Sequence, residues 1–133
     1  MNWVDPTGNA GRKKTARNVA VKKLRQLMKD PDAETNEQCF SVCEREGEGP
    51  FTTPTIFGTS QDCPIASCPP KSLRVLICHV HPRQVGPPGH STQGGGDTSV
   101  SQSLGVPSMV GFDGNIWEYD PRTNTETHVC CRT

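Results

Sequence analysis

The stretch LRVLICHVHP, residues 73–82, decides the fold because it combines a strand pattern with a pair of metal-binding side chains. Apolar and β-branched residues fill its first half, and prolines at positions 69, 70 and 82 bound it, as expected for a short strand. His79 and His81 stand two residues apart, so on a strand their imidazoles lie on the same side. The stretch therefore predicts a strand that presents two imidazoles at its end.

A carboxylate downstream can complete a metal site with these imidazoles. Asp97 follows His81 by 16 residues, and the segment between them contains glycine and proline clusters that allow the chain to fold back. Asp97-Thr98 also has the pattern of a helix start, ahead of a helix that Gly105 ends. Two imidazoles and one carboxylate, with a fourth position for water, are the composition of a catalytic zinc site.

These residues resemble the motif of a known family. His79-Val80-His81-Pro82 followed by Asp97 is similar to the metal-binding motif of the JAB/MPN (JAMM) metallohydrolases, above all to the versions in bacterial polymorphic toxins. Residues 97–110 resemble the helix and returning strand after that motif, and residues 111–119 resemble the closing hairpin. The resemblance spans roughly residues 15 to 120. It implies an α+β, deaminase-like architecture in which His79, His81 and Asp97 bind zinc.

The resemblance also implies two catalytic residues. An upstream strand of the family carries a general-base glutamate, and Glu37, in EQCFSV, has the matching position. The family's serine, three residues before the aspartate, is replaced by Gly94, so Ser91 is the nearest candidate to hold the reacting carbonyl oxygen. The segment between the histidines and Asp97 is also longer than the family's standard spacing. From the residues alone, Glu37 can equally be a solvated charge ahead of a strand.

By residue type alone, three further glutamates are alternatives to Glu37 as the general base. They fall in a charged turn with glycines on both sides of its last member, which predicts an exposed hairpin tip rather than a catalytic position. These residues are Glu44, Glu46 and Glu48.

The beginning of the chain carries a second resemblance. NWVDPTGN, residues 2–9, is similar to the end of the core in Rhs-repeat proteins, where a shell cleaves itself and releases a variable C-terminal toxin. An ordinary Asp-Pro-x-Gly turn is the alternative. The resemblance implies that residues 1–13 end the Rhs core and that residues 14–133 form a single toxin domain. It also implies a secreted effector that reaches the cytoplasm of a target cell and has a cognate immunity protein.

The composition is that of a small single domain with much loop. The chain has 133 residues, of which 32% are hydrophobic and 5% aromatic, so the core should be small. Thirteen glycines and twelve prolines favour short strands. The sequence lacks the run of about 18 apolar residues that a membrane-spanning helix needs, and its basic start lacks the apolar region of a signal peptide. We therefore expect no membrane partner.

A helix is expected near the beginning of the domain. Thr15 or Asn18 can start it, and Asp30-Pro31 ends it. Apolar residues at helical spacing form one stripe that can pack on a sheet. The stripe consists of Ala20, Leu24, Leu27 and Met28.

Eight basic residues are expected to fall on this predicted helix. Such a row can bind phosphates, but it more often forms the solvated face of an amphipathic helix. The formal net charge of +0 also argues against a nucleic-acid partner. The eight cations are Arg12, Lys13, Lys14, Arg17, Lys22, Lys23, Arg25 and Lys29.

The seven cysteines leave an odd thiol in a monomer. Cys39 and Cys43 share one face of a strand, and Cys63 and Cys68 flank a proline turn. We expect one or two disulfides that tie down either the C-terminus or the loop from Cys63 to Cys68. Cys78 beside His79 is an alternative nucleophile, but adjacent strand residues face opposite sides, which disfavours proton transfer between them.

Three classes of function follow. The leading one is a zinc-dependent amide hydrolase, namely a peptidase, isopeptidase or deamidase that acts on a target-cell protein. The second is a metal-dependent nuclease toxin in which His79 or His81 activates water and the basic helix holds the phosphate backbone. The third is a disulfide-stapled binding module without chemistry.

The predicted fold is α+β, with an N-terminal helix packed on a mixed sheet. We expect the metal at the edge of the sheet and a closing hairpin over residues 106–119. A last strand is expected over residues 127–130, in which His128 is structural.

Overall fold

A computed structural model of the chain describes residues 15–86 and 96–131, and for Gly96 and Asp97 it describes the backbone alone. The Rhs-like motif at residues 2–9, the expected boundary at residue 13 and Ser91 lie outside the described residues. The helices in the described residues are α1 (Ala16–Met28), a short 3₁₀ helix (Pro31–Glu34) and α2 (Gly96–Leu104).

Seven strands accompany these helices in the described part of the chain. In chain order they are β1 (Gln38–Glu44), β2 (Phe51–Thr52), β3 (Ile56–Phe57), β4 (Leu73–Val80), β5 (Ser108–Phe112), β6 (Asn115–Asp120) and β7 (Thr125–Cys130). The predicted α+β class with an N-terminal helix is confirmed.

Helix α1 begins and ends where its sequence predicts. The hydroxyl oxygen of Thr15 accepts a hydrogen bond from the backbone N–H of Asn18, which caps the first turn. Pro31 follows the last turn, and proline cannot continue a helix. Ala20 and Leu24 are fully buried against the sheet, while the rest of the predicted stripe packs at the margin of the core.

The strands form one mixed sheet in the order β2-β1-β4-β5-β6-β7, and β3 also pairs with β1. Strands β4 and β5 are parallel, and every other pair is antiparallel. A parallel neighbour requires a crossover connection, which α2 supplies between β4 and β5.

The sequence predicts a metal site at the edge of the sheet, and the structure shows which strand carries the two histidines. Strand β4 is an interior strand with β1 on one side and β5 on the other. Its second neighbour is β5 because the chain crosses over through α2 and returns beside β4. His79 and His81 consequently lie at the end of an interior strand.

The two faces of the sheet carry different chemistry. Phe40, Cys78 and Met109 lie side by side in register and join the hydrophobic core under α1. On the adjacent row, Cys39 pairs with His79, which in turn pairs with Val110. Since neighbouring residues of a strand alternate between faces, His79 faces away from α1.

Two disulfides join β1 to the irregular segment that follows β3. Cys39 is bonded to Cys63, and Cys43 is bonded to Cys68. They fasten residues 63–68 over the face of the sheet that α1 leaves open. The expectation that disulfides tie down this loop is confirmed.

The remaining cysteines also lie in the described residues. Cys130 is bonded to its neighbour Cys131, so this disulfide does not tie the C-terminus to another element. Cys78 is the odd thiol that the count of seven requires, and it is buried.

The C-terminal strand is longer than predicted and pairs with β6. His128 is bonded through Nε2 to the side-chain oxygen of Asn115 at 2.9 Å, and its ring packs against Trp117. These contacts agree with the structural role expected for His128. Across the described residues, we find no helix with the length and apolarity needed to cross a membrane.

Candidate functional site

His79 and His81 come together at the end of β4. Their ring centroids are 4.8 Å apart. His81 stands one residue beyond the strand, and its backbone N–H donates to the carbonyl oxygen of Gly111 at 2.9 Å, so it keeps the direction of β4. The pairing that the sequence predicts between these imidazoles is therefore present as a direct ring contact.

The tautomer of His81 is set by a hydrogen bond to the backbone. Its Nδ1 lies 2.7 Å from the carbonyl oxygen of Gly86, and a carbonyl oxygen can only accept, so Nδ1 carries the proton. The lone pair of the neutral ring is then on Nε2, the arrangement in which protein histidines bind metals. Gly86 has a φ of +78°, a conformation that favours glycine. His81 itself is only 4% exposed, so its ring is held in place.

A cavity of about 150 Å³ adjoins His79 on the face of the sheet opposite α1. Glu37 and His79 both line it. Its floor is formed by β1, β4 and β5, and Val100 of α2 lines another side. The segment held by the disulfides, residues 61–66, forms the remaining wall, which we call the disulfide wall.

Glu37 is held at this cavity by its backbone. Its N–H donates to the carbonyl oxygen of Thr59 at 2.8 Å, and its own carbonyl oxygen accepts from Gly58 at 2.8 Å. A Cβ on Gly58 would come within 2.2 Å of the carbonyl oxygen of Asp62, so only glycine fits this bend. Glu37 immediately precedes β1, where Gln38 pairs with Val80. By register, Glu37 is therefore next to the histidine end of β4.

Asp97 lies in the first turn of α2, three residues before the cavity-lining Val100. Because α2 connects two parallel strands, its first turn lies towards the end of β4 that carries the histidines. The side chain of Asp97 is outside the described part, as is all of Ser91. Among the side chains that are described, no group of three or more His, Cys, Asp or Glu residues forms a metal site.

His81 also lines a second cavity, of about 280 Å³, beyond the end of β4. Met28, Arg83 and Phe112 form part of its lining, whereas Glu37 and His79 do not. The ring contact between the two histidines thus lies between two cavities. We assign the chemistry to the smaller one, because Glu37, the candidate general base, lines it.

The glutamates that compete with Glu37, and the alternative nucleophile Cys78, lie in environments typical of structural residues. Glu44, Glu46 and Glu48 are exposed around the turn between β1 and β2, as predicted, and Glu48 pairs with Arg45 at 3.7 Å. Burial raises the pKa of the Cys78 thiol, the negative charge of Glu118 adds to this, and Lys23 opposes it. Cys78 is therefore a protonated core residue at neutral pH rather than a nucleophile.

Sequence reasoning missed two parts of this site. The disulfide wall has no periodic pattern, and the spacing of its cysteines does not give their connectivity. Ser108, the first residue of β5, lines the floor of the cavity and is 1% exposed. Ser108 follows a loop without a recognisable motif, so the residues around it do not predict that it lines the cavity.

No protein-family model, curated protein sequence or solved structure matches this chain.

Proposed function

We propose that this chain is a zinc-dependent amide hydrolase that acts on a protein of a target cell. His79, His81 and Asp97 are the proposed metal ligands, and Glu37 is the proposed general base. The observation that carries the proposal is the His79–His81 contact, with ring centroids 4.8 Å apart and Nδ1 of His81 committed to a backbone carbonyl, beside a cavity that Glu37 lines.

The donor set fits zinc on chemical grounds. Imidazole nitrogen and carboxylate oxygen are both zinc ligands, and three protein ligands leave one position for water. When bound in such a site, zinc lowers the pKa of its water towards neutrality and polarises a carbonyl group. The hydrogen bond from His81 to Gly86 is the kind of outer contact that orients a histidine ligand.

The remaining steps of the proposed reaction are assigned to residues of the chain. Glu37 accepts a proton from the attacking water and passes it to the leaving nitrogen, the role of a general acid–base residue. The disulfide wall lines one side of the cavity in which the carbonyl group would react. Ser91 remains the candidate that the JAB/MPN resemblance gives for holding the carbonyl oxygen.

The biological setting is part of the proposal. The Rhs-like residues 2–9 support a toxin domain that is released from a shell, secreted and delivered into the cytoplasm of a target cell. A cognate immunity protein would protect the producing cell. The disulfides that join β1 to Cys63 and Cys68 are consistent with passage through an oxidising space.

The contacts of α1 favour the amide hydrolase over a nuclease. Arg17 is paired with Glu118 at 2.8 Å, and Nζ of Lys23 donates to the carbonyl oxygen of Thr53 at 2.7 Å. Because these two cations form contacts within the fold, fewer basic side chains are left to bind a phosphate backbone. The helix also covers the face of the sheet opposite His79.

Metal analysis and a histidine variant test the proposal. Purified protein supplied with zinc should bind one equivalent, and His79→Ala should lose it. His128→Ala is the matched control, because that histidine bonds to Asn115 in the β6–β7 hairpin, and it should keep the metal. If His79→Ala binds zinc as well as the wild type, the proposed centre is wrong.

The reaction class is then tested with candidate substrates. The zinc-loaded protein is incubated with bacterial lysate proteins, DNA and RNA. Amide hydrolysis in the lysate should depend on His79. Breakdown of DNA or RNA that His81→Ala abolishes would reject the amide hydrolase in favour of the nuclease.

A further inference from the structure

The size and lining of the cavity narrow the class of amide that can react there. At about 150 Å³, the cavity matches an engineered protein cavity that holds one benzene molecule. Sites that enclose a drug-sized ligand begin at about 300 Å³. A single side chain fits the smaller space.

Peptide and isopeptide bonds carry chain on both sides of the amide, so they need a groove that is open at two ends. Here the disulfide wall stands on one side, and α2 contributes Val100 to another. A primary carboxamide at the tip of an asparagine or glutamine side chain carries chain on one side only. It can enter end-on, and its leaving group is ammonia, which is small enough to leave by the same path.

Ser108 provides an independent sign of a polar ligand in this cavity. Its hydroxyl oxygen is buried, and no described residue forms a hydrogen bond with it. Leaving such a group without a partner is unfavourable, so buried hydroxyls are normally bonded. Ser108 pairs in register with Ile77, two residues before His79 on the same face of the sheet. A carboxamide that enters beside His79 can accept a hydrogen bond from this hydroxyl.

The other lining residues suit the rest of an asparagine or glutamine side chain. Pro64, Ile65 and Ala66 of the disulfide wall are apolar, and Ile65 is 42% exposed, which places it at the rim. Methylene groups of the substrate would contact this surface while the carboxamide reaches the floor. The cavity therefore combines an apolar wall with polar groups at its base.

We propose that the substrate is a side-chain carboxamide of a target protein and that Ser108 donates a hydrogen bond to its oxygen. This inference rests on the proposed amide hydrolase. In the reaction, the oxygen of water forms a bond to the carbonyl carbon, and the carbon–nitrogen bond breaks with its electron pair leaving on nitrogen. Glu37 carries the proton from water to that nitrogen. The products are a carboxylic acid and ammonia, so asparagine becomes aspartate or glutamine becomes glutamate.

Quantitative mass spectrometry of a bacterial lysate tests the substrate class. The lysate is treated with zinc-loaded wild type, His79→Ala or Ser108→Ala protein. We expect the wild type to convert asparagine or glutamine sites to the acid. This conversion should be absent with His79→Ala and about 100-fold lower with Ser108→Ala, the usual loss for one such donor. New peptide termini in place of acidified side chains would overturn the substrate class while leaving the amide hydrolase intact. Identical proteomes from wild type and His79→Ala would overturn both.

Thermal unfolding separates a substrate-binding role of Ser108 from a structural one. Because its hydroxyl has no described partner, Ser108→Ala should unfold at the same temperature as the wild type or higher. Ser101→Ala is the matched control, since that equally buried hydroxyl donates to the carbonyl oxygen of Val106, and it should unfold at a lower temperature. A lower unfolding temperature for Ser108→Ala, or full activity in it, would reject the assignment of Ser108.

Discussion

The imidazole of His81 donates a hydrogen bond from Nδ1 to the carbonyl oxygen of Gly86, at 2.7 Å. The bond joins the end of β4 to the first residues of the segment that leads to Asp97. It holds the ring in one orientation and one tautomer before any metal binds. The metal affinity of the proposed zinc site should therefore depend on the backbone conformation of Gly86.

Gly86→Ala should weaken zinc binding about 10- to 100-fold, the usual loss when an outer partner of a metal-binding histidine is disturbed. Alanine is strained at the φ of +78°, so the carbonyl oxygen should move away from His81. Competition with a chromogenic chelator measures the affinity. Gly47→Ala is a matched control, since its φ is +81° and it lies in the exposed turn between β1 and β2. An equal loss of zinc affinity in both variants would show that the contact to His81 is irrelevant.

Glu37→Gln should lower turnover by about 10²–10⁴, the range for a general acid–base residue, while zinc content and stability stay close to wild type. The amide keeps the shape of the side chain but cannot accept the proton. Glu44→Gln, in the exposed end of β1, should keep full activity. Retained activity in Glu37→Gln would return Glu37 to the role of a solvated charge.

Removing either long-range disulfide should destabilise the domain by about 3 kcal/mol, because each closes a loop of similar length, with separations of 24 and 25 residues. Urea unfolding of the Cys39→Ser/Cys63→Ser and Cys43→Ser/Cys68→Ser variants measures the loss. The Cys130→Ser/Cys131→Ser variant is the control, since its disulfide spans adjacent residues and closes almost no loop. Amide hydrogen exchange should rise most over residues 60–65, between the backbone contacts of Thr59 and Ala66.

The regular elements of this fold could be predicted, whereas the partners of its strands could not. The stripe of Ala20 and Leu24 and the apolar run of β4 are local patterns, and both predicted the correct element. The interior position of β4 depends on β5, which is distant in sequence and arrives through α2. The closing hairpin, expected from the family resemblance, is present as β5 and β6, and Asp113 and Gly114 at its turn both have positive φ angles.

The candidate site likewise has one part that the sequence predicts and another part that it does not. His79 and His81 stand two residues apart on one strand, so their contact follows from local geometry. The disulfide wall has no regular secondary structure, and disulfide connectivity cannot be deduced from cysteine spacing. Ser108 becomes part of the site through the pairing of β5 with β4 alone. Residues that join the cavity through distant pairings carried no signal in the sequence.

Stability should fall as the pH rises above about 9, because Cys78 holds its proton in the folded protein. Burial raises the pKa of this thiol above its ordinary value of 9.0. The folded state therefore keeps a proton that the unfolded state releases at alkaline pH. The contribution is fully present below pH 9 and is lost as the pH rises through the window between the unfolded and folded pKa values. Urea unfolding between pH 8 and pH 11, about two units above the unfolded pKa, should show this loss.

Cys78→Ala is the variant that assigns this pH dependence. It should be less stable at neutral pH, because Cys78 packs in the core with Phe40 and Met109, but its stability should decline less between pH 8 and pH 11. The slope with pH, rather than the absolute stability, is the quantity that reports the thiol. Since lysines also titrate in this range, an equal slope in Cys78→Ala and wild type would assign the decline to them and not to Cys78.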